Sequence, residues 1–271
     1  MRRLQKQFNQ DYNSIRADSF RPFSYMYTEA IKHYLSNHGF ERINLKAVLF
    51  DMDGVLYNSM PIHTESWHQV MKRFGLHLSR EEAYMHEGRT GAGTINIISQ
   101  RQRGRDATAE EIEKIYAAKA NEFNDHPQPP VMPGALEVLN QIKEDGLKII
   151  LVTGSGQKTL LQRLEHSFPG IFHEELMVTA FDVKKGKPNP EPYLMGLKKG
   201  NLQPNEAIVV ENAPLGVQAA AAAQIFTVAV NTGPLPDKVL LDAGADILFP
   251  SMPAFNEHWK ELYRAVNDKV F

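Results

Sequence analysis

Short apolar runs alternate with amphipathic segments along most of the chain, and this alternation predicts its secondary structure. Unbroken apolar runs of about four to eight residues are typical of buried strands, whereas apolar residues every three or four positions are typical of helices. Strands are predicted at 47–50, 147–152, 176–179, 207–210, 226–230 and 247–249. Helices are predicted at 135–143, 157–165, 190–198, 215–223 and 252–267. This alternation predicts the α/β class, with a doubly wound parallel sheet in a three-layer core.

Two segments depart from the alternation. Residues 1–25 are polar and basic without a helical period, so we predict a weakly ordered extension, followed by a helix that opens at Met26. Residues 59–129 are helical in pattern and contain no strand, which is too long for a simple crossover between strands. We therefore predict a core domain of residues 26–58 and 130–271 and an inserted helical cap domain of residues 59–129. Hinges are expected at 58–61 and 127–133.

Composition narrows the classes of partner. The 271 residues are 42% hydrophobic and 23% charged, which is ordinary for a globular protein. The net charge of −2 gives no sign of the basic surface that binds nucleic acid. No apolar run approaches the roughly 20 residues of a membrane span, and no signal peptide is visible. The chain has no cysteine, which excludes disulfides, thiolate nucleophiles and Cys-ligated zinc. We expect a cytoplasmic monomer that acts on a small molecule.

Candidate chemistry begins where the first strand ends. Asp51 and Asp53 follow it, and Gly54 lets the backbone turn sharply. Ligands of open α/β sheets bind at the carboxyl ends of the strands. Two carboxylates this close repel one another, and a divalent cation relieves that cost. The alternative is an ordinary Asp/Gly turn without a ligand.

Two later loops add candidates for holding phosphate. Thr153, Gly154 and Ser155 follow the second strand, where a hydroxyl and backbone N–H groups can bind phosphate oxygens. The alternative is an ordinary helix N-cap. Lys187 and Asn189 lie in the loop GKPNP, where an ammonium fixed beside prolines can neutralise a phosphoryl group. The alternative is a solvated surface lysine.

The fourth loop carries Glu211 and Asn212, which both offer oxygen ligands to Mg²⁺, although a plain turn is the alternative. Each loop alone is a weak signal, but their order is not. The series D-x-D-G-V, T-G-S, G-K-P-x-P and E-N closely resembles the haloacid dehalogenase superfamily of phosphotransferases over residues 46 to about 250. The helical insert is similar to the type-1 cap of that superfamily. The cap and the GKPNPEPY segment resemble its β-phosphoglucomutase-like branch.

The resemblance implies a role for each loop. Asp51 is expected to attack phosphorus and form an aspartyl-phosphate, and Asp53 to act as general acid and base. Mg²⁺ is expected between the Asp51 carboxylate, the Asp53 backbone carbonyl and the fourth loop. Lys187 and the Thr153–Ser155 loop are expected to hold the phosphoryl oxygens, since phosphoryl transfer depends mostly on positioning and charge neutralisation.

The sequence departs from this branch at two places. The fourth loop usually carries an acid where Asn212 stands, so the metal site has one negative charge fewer, and Glu211 is expected to bind a water on the metal. β-Phosphoglucomutases also use a cap Arg, Lys and His. His63 and Lys119 stand at the His and Lys positions, whereas Gly91 stands at the Arg position and Arg89 could substitute for it.

The cap also carries Glu87, a carboxylate that repels a sugar phosphate unless a metal or a proton intervenes. It suits a small, highly charged, Mg²⁺-chelated substrate. Together with Asn212, Glu87 makes the chain similar to an inorganic pyrophosphatase type of this branch found in Bacteroides-like bacteria. The sequence therefore favours a Mg²⁺-dependent phosphohydrolase acting on pyrophosphate. The alternatives are a β-phosphoglucomutase, a sugar-phosphate phosphatase and a non-catalytic binding protein on the same scaffold.

The remaining histidines and Trp67 of the cap are not expected to bind a metal or the substrate. His63 and His68 are five residues apart and do not share a helix face at ligand spacing, so no zinc site is expected. His86 is expected at the surface, and Trp67 in the core of the cap rather than against substrate.

Overall fold

The computed structural model describes residues 23–155 and 158–267, and within them a single parallel sheet forms the centre of the molecule. The strands are short and almost entirely buried, as the apolar runs predict. In chain order they are β1 (Ala47–Phe50), β2 (Lys148–Val152), β3 (Met177–Val178), β4 (Ala207–Glu211), β5 (Phe226–Val230) and β6 (Ile247–Phe249).

The strand order is β3-β2-β1-β4-β5-β6, with every neighbouring pair parallel. The chain moves outward from β1 to β3 and then returns to the other side of β1, which makes β1 and β4 neighbours. In a doubly wound sheet this reversal leaves a crevice at the carboxyl ends of the strands, where ligands bind. The loops after β1 and β4 meet there.

Helices cover both faces of the sheet. In the core they are α1 (Phe23–His38), α6 (Ala135–Glu144), α7 (Lys158–Ser167), α8 (Glu191–Gly200), α9 (Pro214–Ala222), α10 (Asp237–Ala243) and α11 (Met252–Asn267). Side chains alternate along a strand, so Val48 and Phe50 pack against α1, α6, α7 and α11, whereas Leu49 packs against α8 and α9. The predicted three-layer α/β class is confirmed.

The insert between β1 and β2 is helical, as the sequence indicates. It contains α2 (Met60–Arg73), α3 (Arg80–Met85), α4 (Gly91–Arg103) and α5 (Ala109–Asn124). Their apolar faces form a separate hydrophobic cluster that includes Val70, Ile95 and Ile115. The insert therefore has its own small core beside the one that surrounds the sheet.

Local capping sets the helix boundaries. The capping box that begins α5 is present, since Thr108 Oγ1 accepts from Glu111 N and the Glu111 carboxylate accepts from Thr108 N. The segment 94–98 predicts a helix that begins at Thr94. Helix α4 instead begins three residues earlier, at Gly91, because the Thr90 side chain accepts from Gly93 N and caps it. Helix α1 begins at Phe23 rather than Met26, so the predicted extension is wrong for 23–25, and residues 1–22 lie outside the described ranges.

The two chain segments that join cap and core run side by side. Asn58 N donates to Pro130 O over 2.9 Å, and Met132 N donates to Leu56 O over 2.9 Å. This pairing brings both predicted hinge segments to one place. None of the helices in the described ranges has the length and apolar content needed to cross a membrane.

Candidate active site

Asp51 lies at the end of β1, in direct contact with Lys187. Lys187 Nζ donates to Asp51 Oδ1 over 2.5 Å, to Glu211 Oε1 over 2.6 Å and to Val152 O over 3.2 Å. The lysine side chain is fully buried, which rules out the alternative of a solvated surface lysine. Burial raises the pKa of Asp51 above its usual range, although the Lys187 ammonium opposes this effect.

Asp53 faces the cap side of the same loop. Its Oδ1 accepts from Ser59 Oγ over 2.6 Å and lies 3.1 Å from His63 Nε2. Burial raises the pKa of Asp53, but the contacts with His63 and Ser59 outweigh it and leave this pKa below its ordinary value. The two aspartates therefore differ: Asp53 is stabilised as a carboxylate, whereas Asp51 depends on a cation for its charge.

Lys119 extends this chain of contacts into the cap. Its Nζ lies 2.5 Å from His63 Nδ1 and packs over the rings of Trp67 and Phe123 at 5.5 and 5.0 Å. The side chain is buried, so the alternative of a solvated lysine is wrong for this residue. Burial lowers the pKa of Lys119 to about 7, against a weaker opposing effect of Asp53. Burial also lowers the pKa of His63, and Lys119 acts in the same direction.

The lowered pKa of Lys119 predicts how stability depends on pH. The folded protein releases this proton near pH 7, whereas the unfolded chain holds it to about pH 10.5, so the free energy of unfolding rises with pH between those values. Lys119→Met removes this rise. We therefore expect the free energy of unfolding of the variant, minus that of wild type, to be larger at pH 6 than at pH 10 by on the order of 4 kcal/mol.

Urea unfolding at pH values from 6 to 10 measures this difference. Lys114→Met, on an exposed position of the same helix, is the matched control and is expected to follow wild type. A constant offset between Lys119→Met and wild type across this range contradicts the prediction, because a lost contact alone does not depend on pH.

Glu211 at the end of β4 is enclosed by donors. Its Oε1 accepts from Lys187 and from the Tyr193 hydroxyl at 2.8 Å, and its Oε2 accepts from the backbone N–H groups of Asn212 and Ala213 at 3.0 and 3.1 Å. The side chain is fully buried. These contacts do not support the sequence-based assignment of Glu211 to a metal-bound water, because protein groups occupy both oxygens.

Glu87 and Asn212 connect the cap to the fourth loop. Asn212 Nδ2 donates to Glu87 Oε1 over 2.9 Å, and both side chains are buried. They pack against the turn after Asp53, where a methyl group on Gly54 would lie 2.0 Å from Asn212 Nδ2. Burial raises the pKa of Glu87 well above its usual range, and Asp51 adds to this effect. The sequence-based placement of a cap carboxylate at the cap–core interface is therefore correct.

The cap loop that follows Glu87 rests directly on the phosphate-binding candidates. A methyl group on Gly154 would lie 2.6 Å from Gly88 O, and one on Gly186 would lie 2.6 Å from Thr90 Cγ2. Only residues without a side chain permit the first approach, since it brings two backbones together. The cap in this structure is thus closed over the carboxyl ends of the strands.

A cleft between cap and core brings most of the predicted residues together. Its walls include Asp51, Asp53, His63, Glu87, Arg89, Lys119, Thr153, Gly154 and Ser155. Thr153 Oγ1 accepts from Ser155 N over 2.9 Å, which bends this loop around the cleft. Arg89 is half-buried in the wall, and its Nε has no hydrogen-bond partner among the described residues.

Three sequence-based assignments need correction. Asn189 does not line the cleft; its side-chain oxygen accepts from Glu191 N over 3.0 Å and so caps the start of α8. His86 lies in the wall of the cleft rather than at the surface, with its Nδ1 buried and without a partner among the described residues. Trp67 packs on the cap core as predicted, but it also lines the cleft.

The donor set fits a hard divalent cation such as Mg²⁺. Asn212 Oδ1 is buried and has no hydrogen-bond partner in the described part of the chain, which is costly for a carbonyl oxygen unless a ligand occupies it. Asp51, the Asp53 carbonyl and Asn212 would hold the ion through oxygen atoms, the ligands that Mg²⁺ prefers. This agrees with the cation that Asp51 needs in order to stay charged.

Sequence reasoning missed two residues of the site. Ser59 was treated only as part of a hinge, although it donates to Asp53, and Tyr193 was treated only as part of a motif, although it donates to Glu211. The available signal was spacing: Ser59 begins the helix after the Asp-x-Asp turn, and Tyr193 lies six residues after Lys187 on the helix that follows its loop.

The comparisons with known proteins agree with this geometry. The family model for haloacid dehalogenase-like hydrolases matches residues 48–230. Hexitol phosphatase A of Escherichia coli K12 is 32% identical over 188 residues, which are 69% of this chain and 83% of that protein. A phosphorylated carbohydrates phosphatase of Thermotoga maritima is 30% identical over 202 residues, covering 74% of this chain and 92% of that one.

One solved structure is much more similar. It is described as "Putative beta-phosphoglucomutase from Bacteroides vulgatus" and is 67% identical, with a TM-score of 0.88. The match covers 90% of this chain and 100% of that one.

Proposed function

Because the chain belongs to the haloacid dehalogenase-like hydrolase family, we propose that it is a Mg²⁺-dependent phosphohydrolase that acts through a phosphorylated Asp51 and prefers inorganic pyrophosphate. Asp51 Oδ attacks phosphorus, and the bond to the leaving phosphate breaks. Water then attacks the phosphorus of the aspartyl-phosphate and gives its proton to Asp53, while the P–O bond to Asp51 breaks and phosphate is released. Lys187 and the Thr153–Ser155 loop hold the phosphoryl oxygens during both steps.

Bound Mg²⁺ supplies positive charge beside the nucleophile and the phosphoryl group. The residues that would hold it are Asp51, the Asp53 carbonyl and Asn212. The protein's own part is to bury these oxygens, to keep Lys187 against Asp51 and to exclude bulk water under the closed cap.

The observation that carries the preference for pyrophosphate is the contact between Glu87 and Asn212. It places a fourth buried carboxyl beside those of Asp51, Asp53 and Glu211. The Lys187 ammonium contacts two of these four carboxyls, those of Asp51 and Glu211. An anionic substrate enters such a site most easily when it brings its own cations. A chelate of Mg²⁺ with pyrophosphate does so, whereas a sugar phosphate leaves Glu87 facing a polar but uncharged sugar.

The state of Asp53 also favours a phosphate leaving group. Its contacts with His63 and Ser59 lower its pKa and favour the ionised form, which has no proton to donate in the first step. A sugar alkoxide must be protonated as it leaves, whereas phosphate is far less basic and leaves without that help. Arg89 in the cleft wall, whose Nε has no hydrogen-bond partner among the described residues, offers a countercharge for the departing phosphate.

A second candidate function is hydrolysis or isomerisation of sugar phosphates. Trp67 and Tyr116 line the cleft and offer flat surfaces of the kind that pack against sugar rings. The names of the similar proteins from Escherichia coli and Thermotoga maritima also favour carbohydrate phosphates. In the isomerase version, a sugar hydroxyl replaces water as the group that accepts the phosphoryl from Asp51.

Phosphate release with Mg²⁺ from pyrophosphate and from a panel of hexose and hexitol phosphates distinguishes these functions. A coupled assay for the conversion of β-glucose 1-phosphate to glucose 6-phosphate runs beside it. We expect kcat/KM for pyrophosphate to exceed that for the sugar phosphates by about 100-fold or more, since one desolvated charge pair is worth this much. Accumulation of glucose 6-phosphate would establish the isomerase instead.

Glu87→Ala tests the residue behind this preference. It is expected to lower kcat/KM for pyrophosphate by about 10- to 100-fold and to leave slow sugar-phosphate hydrolysis unchanged or faster, because the repulsive carboxyl is gone. Glu81→Ala, an exposed position near the start of α3, is the control. Equal losses for both substrate classes would remove the case for Glu87 as a selectivity residue.

A further inference from the structure

Every N–H of the Lys187 ammonium is already used in this structure. One points at Asp51, one at Glu211 and one at the Val152 carbonyl, at distances of 2.5, 2.6 and 3.2 Å. The ammonium therefore lies between two carboxylates that compete for it. Its distance from the phosphoryl group on Asp51 depends on how strongly Glu211 attracts it.

Tyr193 acts on the same oxygen of Glu211. Its hydroxyl donates to Oε1 over 2.8 Å, and Lys187 donates to that atom as well. The Tyr193 ring also lies below the ammonium, with Lys187 Nζ 5.1 Å from the ring centre. A second donor on one oxygen spreads its negative charge, so that oxygen attracts Lys187 less strongly.

The fold holds Tyr193 rigidly in this position. The side chain is fully buried and packs in the same apolar cluster as Leu49 and Val152, on the strands that carry Asp51 and Thr153. Its helix begins just after the Lys187 loop, with Pro190 at the N-cap, which fixes the spacing between lysine and tyrosine. The tyrosine does not line the cleft, so it does not touch substrate.

We propose that Tyr193 is a positioning residue for phosphoryl transfer: by donating to Glu211 Oε1, it keeps the Lys187 ammonium shared with Asp51 instead of held by Glu211. This inference rests on the proposed phosphotransfer chemistry at Asp51 but does not depend on which phosphate compound is the substrate. Without the hydroxyl, Lys187 shifts toward Glu211 and leaves the reacting phosphoryl group less well neutralised.

Tyr193→Phe tests the proposal, with Tyr34→Phe as a matched control. Tyr34 is also buried and also donates one hydrogen bond, to Gln224 O over 2.9 Å, but it lies on α1 away from the cleft. Both variants are expected to lose similar thermal stability. Only Tyr193→Phe is expected to lower kcat, by about tenfold with little change in KM, for pyrophosphate and for acetyl phosphate alike.

A second readout uses the metal-free protein. The ¹⁵N signal of the Lys187 ammonium is expected to move in Tyr193→Phe and to stay unchanged in Tyr34→Phe, because a merely structural loss does not alter its partners. A kcat within about twofold of wild type, a fall matched by Tyr34→Phe or an unmoved Lys187 signal would each overturn the proposal. Should wild type release phosphate from neither compound, the proposed function fails, whereas the ammonium signal still tests the contact itself.

Discussion

Asp51→Asn is expected to lower kcat by about 10⁴-fold or more with every phosphorylated substrate, because it removes the atom that attacks phosphorus. The amide keeps the size and shape of the carboxyl, and its oxygen still accepts from Lys187. The variant is therefore expected to remain folded with the cap closed.

Stability supplies the internal check on this result. Burial raises the pKa of Asp51, so holding its negative charge in the metal-free protein costs free energy even with Lys187 in contact. Replacing it with a neutral amide is expected to leave the melting temperature unchanged or higher. Loss of activity together with unchanged stability then identifies chemistry rather than unfolding as the cause.

Phosphate release, thermal unfolding and mass spectrometry after acid quench make up the measurement. Wild type is expected to carry a phosphoryl group on the peptide that contains Asp51, and the variant is not. Asp106→Asn, at an exposed position of a cap loop, is the control for a generic Asp-to-Asn change. If Asp51→Asn kept a tenth of the wild-type rate, another residue would have to be the nucleophile.

Local sequence signals were sufficient for the strands and for placing Asp51, Asp53, Thr153 and Lys187 at the carboxyl ends of the sheet, but not for Asn189 and Glu211 in the later loops. An apolar run followed by Asp51 or by Thr153 predicts both a buried strand and the position of the polar residue at its end. Parallel strands bring such ends together at one edge of the sheet. The start of a helix is predicted equally well where a Ser or Thr lies three residues before a Glu and forms a capping box with it, as at Thr108. The start of α4 was misplaced because Thr90, which caps it, is followed three residues later by Gly93 rather than by an acid, so no capping box marks the position.

What the sequence did not show was the pairing between distant segments. Lys187 and Asp51 are 136 residues apart, and Asn212 and Glu87 are 125 apart, so no local pattern specifies that they touch. Asn189 and Glu211 were assigned to ligands from their residue types and from the resemblance. In the fold, their oxygens accept instead from backbone N–H groups and, for Glu211, from neighbouring side chains. Residue type states what a side chain can bind, and the fold decides whether it is free to do so.

Lys187→Met is expected to have a double effect, because Lys187 is the buried ammonium that links Asp51 and Glu211. Removing one member of a buried ion pair leaves the other charge uncompensated, at a cost of about 3–5 kcal/mol in the free energy of unfolding. The same change removes the countercharge of the phosphoryl group and is expected to lower kcat by about 10³-fold or more. Lys184→Met, exposed in the same loop, is the control for both effects.

The double variant Lys187→Met/Glu211→Gln separates the two effects. Converting Glu211 to a neutral amide removes the uncompensated charge, so we expect the double variant to regain part of the stability that Lys187→Met loses. Activity is not expected to return, because the double variant still lacks the ammonium beside Asp51. Urea unfolding and phosphate release on wild type, Lys187→Met, Glu211→Gln and the double variant measure the coupling. Recovery of both properties would show that Lys187 serves only to hold the fold, whereas recovery of stability alone places its charge in the reaction.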